Sequence, residues 1–266
     1  MAANAVIKTV KVDGNELEYA VFGSGRIPLI MIPGISIKSV MLSAQSVAGA
    51  YSRYLKNHTV YLFDRRRRAQ PDYHIDDMGS ELAKALQIIG IENADFFGTS
   101  QGGMIAQQVA LTHPELVRRL VLACTASRPN EHTEKVITEW INLAANRDVE
   151  GLCTDFVNCL YSEAFAKRFM NVVLKMHGDC TDDELDRFIM LARAGENFDV
   201  YEKLGKITCP AFVLGAHNDK VLTGHASEEI AEKIGCELYM YGEPYGHAVY
   251  DEARDFKDRI FGFYNK

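Results

Sequence analysis

The sequence predicts an α/β fold, a mostly parallel sheet flanked by helices, and three observations carry that prediction. Short, fully apolar runs recur along the chain. Stretches of helical period stand between them. A turn, Gly98-Thr99-Ser100-Gln101-Gly102, sits where one apolar run hands over to a helix. Continuous apolar runs suit strands buried on both faces, and their alternation with helices implies right-handed crossovers and parallel pairing.

Two strand-like runs open the chain, Val6–Val12 and Leu17–Phe22, joined through Asp13-Gly14-Asn15. That turn has hairpin chemistry, so the pair forms an antiparallel edge. Pro28–Ile32 is apolar throughout and is closed by Pro33-Gly34. A helix is expected over Val40–Leu55, a strand at His58–Phe63 and a helix at Ile75–Ile89. A strand at Ala94–Phe97 leads into the Gly-rich turn, and a helix follows to Thr112, before His113-Pro114. Leu120–Ala123 is the next strand. From Ser127 to Leu204 helical periodicity persists without a buried strand. The sheet resumes at Ala211–Gly215, and a helix, a strand at Glu237–Tyr241 and a last helix over Val249–Tyr264 complete the pattern. The chain therefore divides into a sheet-and-helix core, residues 1–126 and 205–266, and a helical cap inserted at 127–204.

Length and composition agree. A chain of 266 residues with 47% hydrophobic and 24% charged residues suits one large globular domain carrying an insertion. A net charge of -7 favours neither nucleic acid nor an anionic membrane. The run Arg65-Arg66-Arg67-Arg68 is too local to alter this; it suits a solvated loop or a site for an anionic group. The first residues lack the basic start and apolar stretch of an export signal, and no run of about 18 apolar residues exists to span a membrane. The six cysteines form no C-x-x-C pair and no zinc-like cluster. They read as reduced core thiols of a cytoplasmic protein.

Gly98-Thr99-Ser100-Gln101-Gly102 fits G-x-S-x-G, and its strand–turn–helix setting gives the match its weight. A sharp turn strains the backbone at Ser100 and lifts its hydroxyl above the sheet, and Gly98 and Gly102 supply the room. The helix behind it favours developing negative charge. A serine hydroxyl needs a base, and the base an orienting carboxylate; behind such an elbow the chain order is serine, acid, histidine. His58, His74, His113, His132 and His177 are set aside by position. His217 and His225 flank an acid. His247, in Glu243-Pro244-Tyr245-Gly246-His247 after the last strand, is the candidate base. Asp219 is the carboxylate of Gly215-Ala216-His217-Asn218-Asp219-Lys220-Val221. The alternative place for an acid, Cys124-Thr125-Ala126, holds none. An oxyanion needs backbone N–H donors, and Gln101 and Ile35, the latter in Pro33-Gly34-Ile35-Ser36, are the candidates.

Together these residues resemble the α/β-hydrolase superfamily over nearly the whole chain. Asp64-Arg65 resembles the family's D-x-R-G stretch, and Phe198–Asp219 resembles its return from cap to sheet. The resemblance implies an α/β-hydrolase fold, an eight-stranded mostly parallel sheet with a helical cap. Pro33-Gly34 stands where His-Gly is frequent, Thr99 where many relatives have histidine, and Arg67 and Arg68 where glycines are usual. The implied activity is that of a serine hydrolase cleaving a small-molecule carboxylic ester or lactone through an acyl-enzyme, with no metal and no organic cofactor. A carbon–carbon bond hydrolase of diketone-like substrates, or a binding protein that keeps the triad, stand as alternatives. The expected partner is a small-molecule substrate, with no nucleic acid and no membrane; a homo-oligomer is left open. Trp140, Phe156, Tyr161 and Phe165 fit an apolar pocket or, at helical spacing, the core of the cap.

Overall fold

The computed structural model describes residues 4–52, 55–68 and 70–266. Its strands are β1 (Val6–Val12), β2 (Asn15–Gly23), β3 (Ile27–Ile32), β4 (His58–Phe63), β5 (Ala94–Thr99), β6 (Val117–Ala123), β7 (Ala211–Ala216) and β8 (Glu237–Tyr241). They form one sheet of order β1-β2-β4-β3-β5-β6-β7-β8. β1 pairs antiparallel with β2, and β2 antiparallel with β4; every later pair is parallel. The hairpin turn places Asp13 at φ 48° and Gly14 at φ 84°, the double left-handed conformation that a tight two-residue hairpin requires.

The apolar runs are explained by alternation. Ile30, Phe96, Leu120 and Leu122 face one layer, with α2 (Ile75–Ile88) and α3 (Gln101–Thr112). Their neighbours Leu29, Met31, Phe97 and Val121 face the other, with α1 (Ala44–Tyr51) and the C-terminal helices. Successive side chains on a strand point to opposite faces, so a strand covered on both sides is apolar at every position. Each such side chain, fully buried, contributes about 1.5–3 kcal/mol.

Between β6 and β7 stand α4 (Glu131–Ala145), α5 (Val149–Leu160), α6 (Glu163–His177) and α7 (Asp182–Arg193). Each begins on a side-chain cap, from Asn130, Asp148, Ser162 and Thr181 respectively, which satisfies a helix-terminal N–H. Trp140, Leu152, Leu185 and Phe188 form a third core that also takes in Ile37, Ala126, Val221, Leu222 and Ala248 from the sheet's loops. After β7 come α8 (Gly224–Ile234), then α9 (Val249–Glu252) and α10 (Phe256–Tyr264).

Two helices differ from expectation. The one expected at Val40–Leu55 begins as a 3-10 turn, Val40–Ser43, before α1. The Ser39 hydroxyl caps that turn at Met41 while donating to Asp64. Its expected course over Arg53 and Tyr54 lies outside the described residues. The last helix is two, because Ala253 takes an extended conformation, ψ 121°, between them.

Candidate active site

The site is built at the C-terminal edge of the parallel strands, the edge at which open α/β sheets place their ligands. Ser100 follows β5, Asp219 follows β7 and the His247 turn follows β8.

Ser100 sits at φ 52°, ψ -125°, outside the regions open to a non-glycine residue, at a cost on the order of 1–3 kcal/mol. The surroundings over-determine it. Its N–H donates to the Ala123 carbonyl at 2.9 Å, and its own carbonyl accepts from Gly103 N–H at 2.9 Å and from the Thr125 hydroxyl at 2.7 Å. Glycines make the approach possible. A Cβ on Gly102 would stand 1.9 Å from the Ile32 carbonyl oxygen, and one on Gly98 would stand 2.5 Å from the Gly102 carbonyl oxygen.

The loop after β3 lies directly against this turn, since a Cβ on Gly34 would be 3.0 Å from Cβ of Ser100. Gly34 N–H donates to the Thr99 hydroxyl at 3.0 Å, and the Arg65 guanidinium donates to the Pro33 carbonyl. Ile35, Ser100 and Gln101 line one cavity of about 290 Å³. Among the described residues, neither the Ile35 nor the Gln101 backbone N–H has an intramolecular acceptor. Met104, Trp140, Phe198 and Leu222 supply apolar wall, and exposed Arg128, Glu134 and Glu196 stand among its polar lining. Of the four aromatic residues singled out from the sequence, Trp140 lines this cavity. Phe156 packs on Trp140 at 4.6 Å between ring centroids, and Tyr161 stacks on Phe165 at 4.6 Å.

His247 and Asp219 are brought together. Nδ1 of His247 lies 2.8 Å from Oδ2 of Asp219, with His247 2% and Asp219 7% exposed. The other carboxylate oxygen accepts the N–H groups of Val221 at 2.8 Å and Leu222 at 2.9 Å. Burial pushes the Asp219 carboxyl up, but the His247 ring beside it and these N–H donors outweigh burial and hold it below the ordinary aspartate value. Among the described residues no hydrogen bond joins the Ser100 hydroxyl to His247, and such bonds commonly tighten only when substrate is bound.

Sequence reasoning passed over several contributors. Thr99, which stands where many relatives have histidine, holds the loop of Ile35 through a contact 65 residues away in sequence. Asp64 accepts from Ser39, Val40 and Arg65, and from Arg187 of α7 at 2.8 Å, so it fastens the inserted helices to the sheet. The arginine run divides. Arg65 is buried, which lowers its pKa to about 10 despite Asp64, with Arg187 adding to the fall. Arg66 is half-buried against Glu81 and the Tyr73 ring, and Arg67 and Arg68 are exposed.

A family model described as the alpha/beta hydrolase fold matches residues 57–253. The chain belongs to this family. Among curated relatives, a putative carbamate hydrolase, RutD, of Pseudomonas savastanoi pv. phaseolicola is 24% identical over 231 residues, spanning 78% of this chain and 86% of its own. A 3-oxoadipate enol-lactonase of Acinetobacter baylyi is 22% identical over 223 residues, spanning 82% and 81%. Solved structures share the architecture. An alpha/beta hydrolase enzyme from a Medee basin deep-sea metagenome library superposes at a TM-score of 0.87 with 20% identity, covering 97% of this chain and 98% of that one. The enol-lactonase from Burkholderia xenovorans does so at 0.81 with 20% identity, covering 97% and 100%. This alpha/beta hydrolase carries four α-helices between β6 and β7 of its eight-stranded sheet. No described helix is long and apolar enough to cross a membrane.

Proposed function

We propose that the protein hydrolyses small carboxylic esters or lactones, with Ser100 as nucleophile, His247 as general base and acid, and Asp219 as the orienting carboxylate. One observation carries the reading: Ser100, strained at φ 52°, shares a largely apolar cavity with the unengaged N–H groups of Ile35 and Gln101. Those donors suit an oxyanion. The names of the two relatives, a carbamate hydrolase and an enol-lactonase, both denote hydrolysis at an acyl carbon.

The ionised Asp219 holds the proton on Nδ1 of His247 and leaves Nε2 to take the Ser100 proton as the hydroxyl attacks the acyl carbon. The tetrahedral oxyanion rests on Ile35 and Gln101. His247 returns the proton to the leaving group, and water, deprotonated by the same ring, frees the acid. A cavity of about 290 Å³ suits a small acyl group. The helices α4–α7 act as the cap, with Trp140 reaching the cavity from α4.

A fluorophosphonate probe followed by intact mass tests the nucleophile without knowledge of the substrate. One adduct on the parent and none on Ser100→Ala is the expected result, followed by turnover within a panel of short-chain 4-nitrophenyl esters and lactones. An unlabelled parent that is well folded, or labelling that survives Ser100→Ala, would overturn the assignment.

A further inference from the structure

The turn that carries His247 is not held by the sheet alone. The carbonyl of Leu160, the last residue of α5, accepts the N–H of Ala248 at 2.8 Å. The same oxygen would stand 3.2 Å from a Cβ on Gly246. One oxygen of the inserted helices therefore packs against both sequence neighbours of His247. The two residues after Leu160 continue the contact. The Tyr161 hydroxyl donates to Asp251 at 3.0 Å, Ser162 N–H donates to one carboxylate oxygen of Glu252 at 2.9 Å, and the Ser162 hydroxyl donates to the other.

Glu252 is the stronger of the two acidic partners. Ser162 is 8% exposed and is the N-cap of α6, its hydroxyl also accepting from Phe165 N–H. The Glu252 carboxylate thus takes two donors at the positive end of a 15-residue helix, where a negative charge is favoured and charge-assisted bonds are the stronger kind. It is the final residue of α9, whose first residue, Val249, donates its N–H back to the Gly246 carbonyl. His247 is enclosed between that bond and the Leu160 contact, and Glu252 locks the short helix to the α5–α6 corner.

We propose that Glu252 is a positioning residue for the reaction: it clamps the turn bearing His247 to the α5–α6 corner, so that the inserted helices set the place of the base. The inference rests on the reading of His247 as the base of a serine hydrolase. The clamp makes no contact with the acyl group; its effect falls on the step in which Ser100 loses its proton.

The test measures inactivation by the fluorophosphonate probe, resolved into kinact, which reports the activated serine, and Ki, which reports the cavity. The proteins compared are the parent, Glu252→Ala, Glu252→Gln, Ser162→Ala and the double variant. Misplacing a reacting group by about 1 Å costs on the order of 10²-fold, so Glu252→Ala is expected to lower kinact by about that factor or somewhat less, with Ki little changed. Glu252→Gln keeps an acceptor for Ser162 and recovers most of the rate. The double variant loses no more than Glu252→Ala, because the two act as one contact. Parent-level kinact in a folded Glu252→Ala, or losses that simply add in the double variant, would overturn the clamp. If Glu252→Ala does not fold, Glu252→Gln and Ser162→Ala carry the test: kinact reduced in Ser162→Ala and largely kept in Glu252→Gln supports the clamp, and parent kinact in Ser162→Ala sinks it. A parent that takes no label removes the serine-hydrolase reading itself, which separates that failure from failure of the clamp.

Discussion

Ser100 and His247 stand at one edge of one sheet, yet the two are held in opposite ways. The serine turn is fixed mainly by the main chain. Its neighbours Gly98 and Gly102 leave no space for a side chain, its N–H donates to β6, and its carbonyl accepts from the start of α3 and from the Thr125 hydroxyl. The histidine turn is fixed from outside, by Leu160 and Ser162, with the Ser162–Glu252 contact bridging 90 residues of sequence. Its histidine ring is oriented by an aspartate 28 residues earlier. Sterics of the backbone leave one solution, and the glycines that permit it stand in the short run Gly98–Gly102. Contacts between distant segments admit many, and the residues that make them form no local pattern.

The largest expected effect separates the two turns by one methyl group each. Gly102→Ala drives Cβ to 1.9 Å from the Ile32 oxygen, which belongs to the buried strand β3 and cannot retreat. Loss of soluble folded protein is expected, beyond the roughly 4–5 kcal/mol that marks exceptional substitutions. Gly246→Ala puts Cβ 3.2 Å from the Leu160 oxygen, where a shift of a few tenths of an ångström relieves the contact. It is expected to fold, with a stability loss of about 1 kcal/mol in denaturant titration and a reduced rate. Equal damage from both would show that the histidine turn is as rigid as the serine turn, and would end the comparison.

Asp219→Asn comes next. The amide oxygen still accepts from Val221 and Leu222, so the loop keeps its shape. The ring of His247 loses the acceptor that fixes its tautomer, and kcat is expected to fall by on the order of 10⁴-fold while the melting temperature moves little. Ester turnover and thermal unfolding on the same preparation check both halves. A variant that keeps most of its kcat would show that another group orients the ring.

Legibility followed the same division. β1, β4 and β8 have the bounds expected of them, and in β4 the burial of Leu62 in one layer and of Phe63 in the other shows why an apolar run is legible. The candidate residues Ser100, Asp219 and His247 each stand in a turn or loop after a recognisable strand, and Gln101 opens the helix behind the first of them, which is what singles them out in the sequence. Thr99 and Asp64 were in view, but their partners were not: Gly34 and Arg187 lie 65 and 123 residues away. The arginine run shows the limit most plainly. Four identical side chains in a row carry no sign of which is buried, because Pro33, Glu81 and Arg187 decide it from elsewhere in the fold. The aromatic residues of α4–α6 share a helical spacing, and only their tertiary setting separates Trp140 at the cavity from Tyr161 and Phe165 stacked on each other.

The smallest expected effect is a slope in acid. The folded Asp219 carboxyl lies below its ordinary value, because the His247 ring and two N–H donors outweigh burial. An unfolded aspartate titrates near 3.9. A group whose pKa is depressed by folding contributes stability that is fully present above the unfolded value and is lost as pH falls through the folded one. Denaturant unfolding of the parent from pH 7 down through pH 3, values chosen about that reference, should therefore show a loss that Asp219→Asn partly lacks. Ser100→Ala should reproduce the parent's slope, since the serine turn holds its strain through backbone bonds and the Thr125 hydroxyl, with no titrating group. If Asp219→Asn instead follows the parent throughout, the buried pair adds nothing to folding. The histidine turn would then rest on the contacts from α5 and α6 alone, and the difference between the two turns would be sharper than the buried charge makes it.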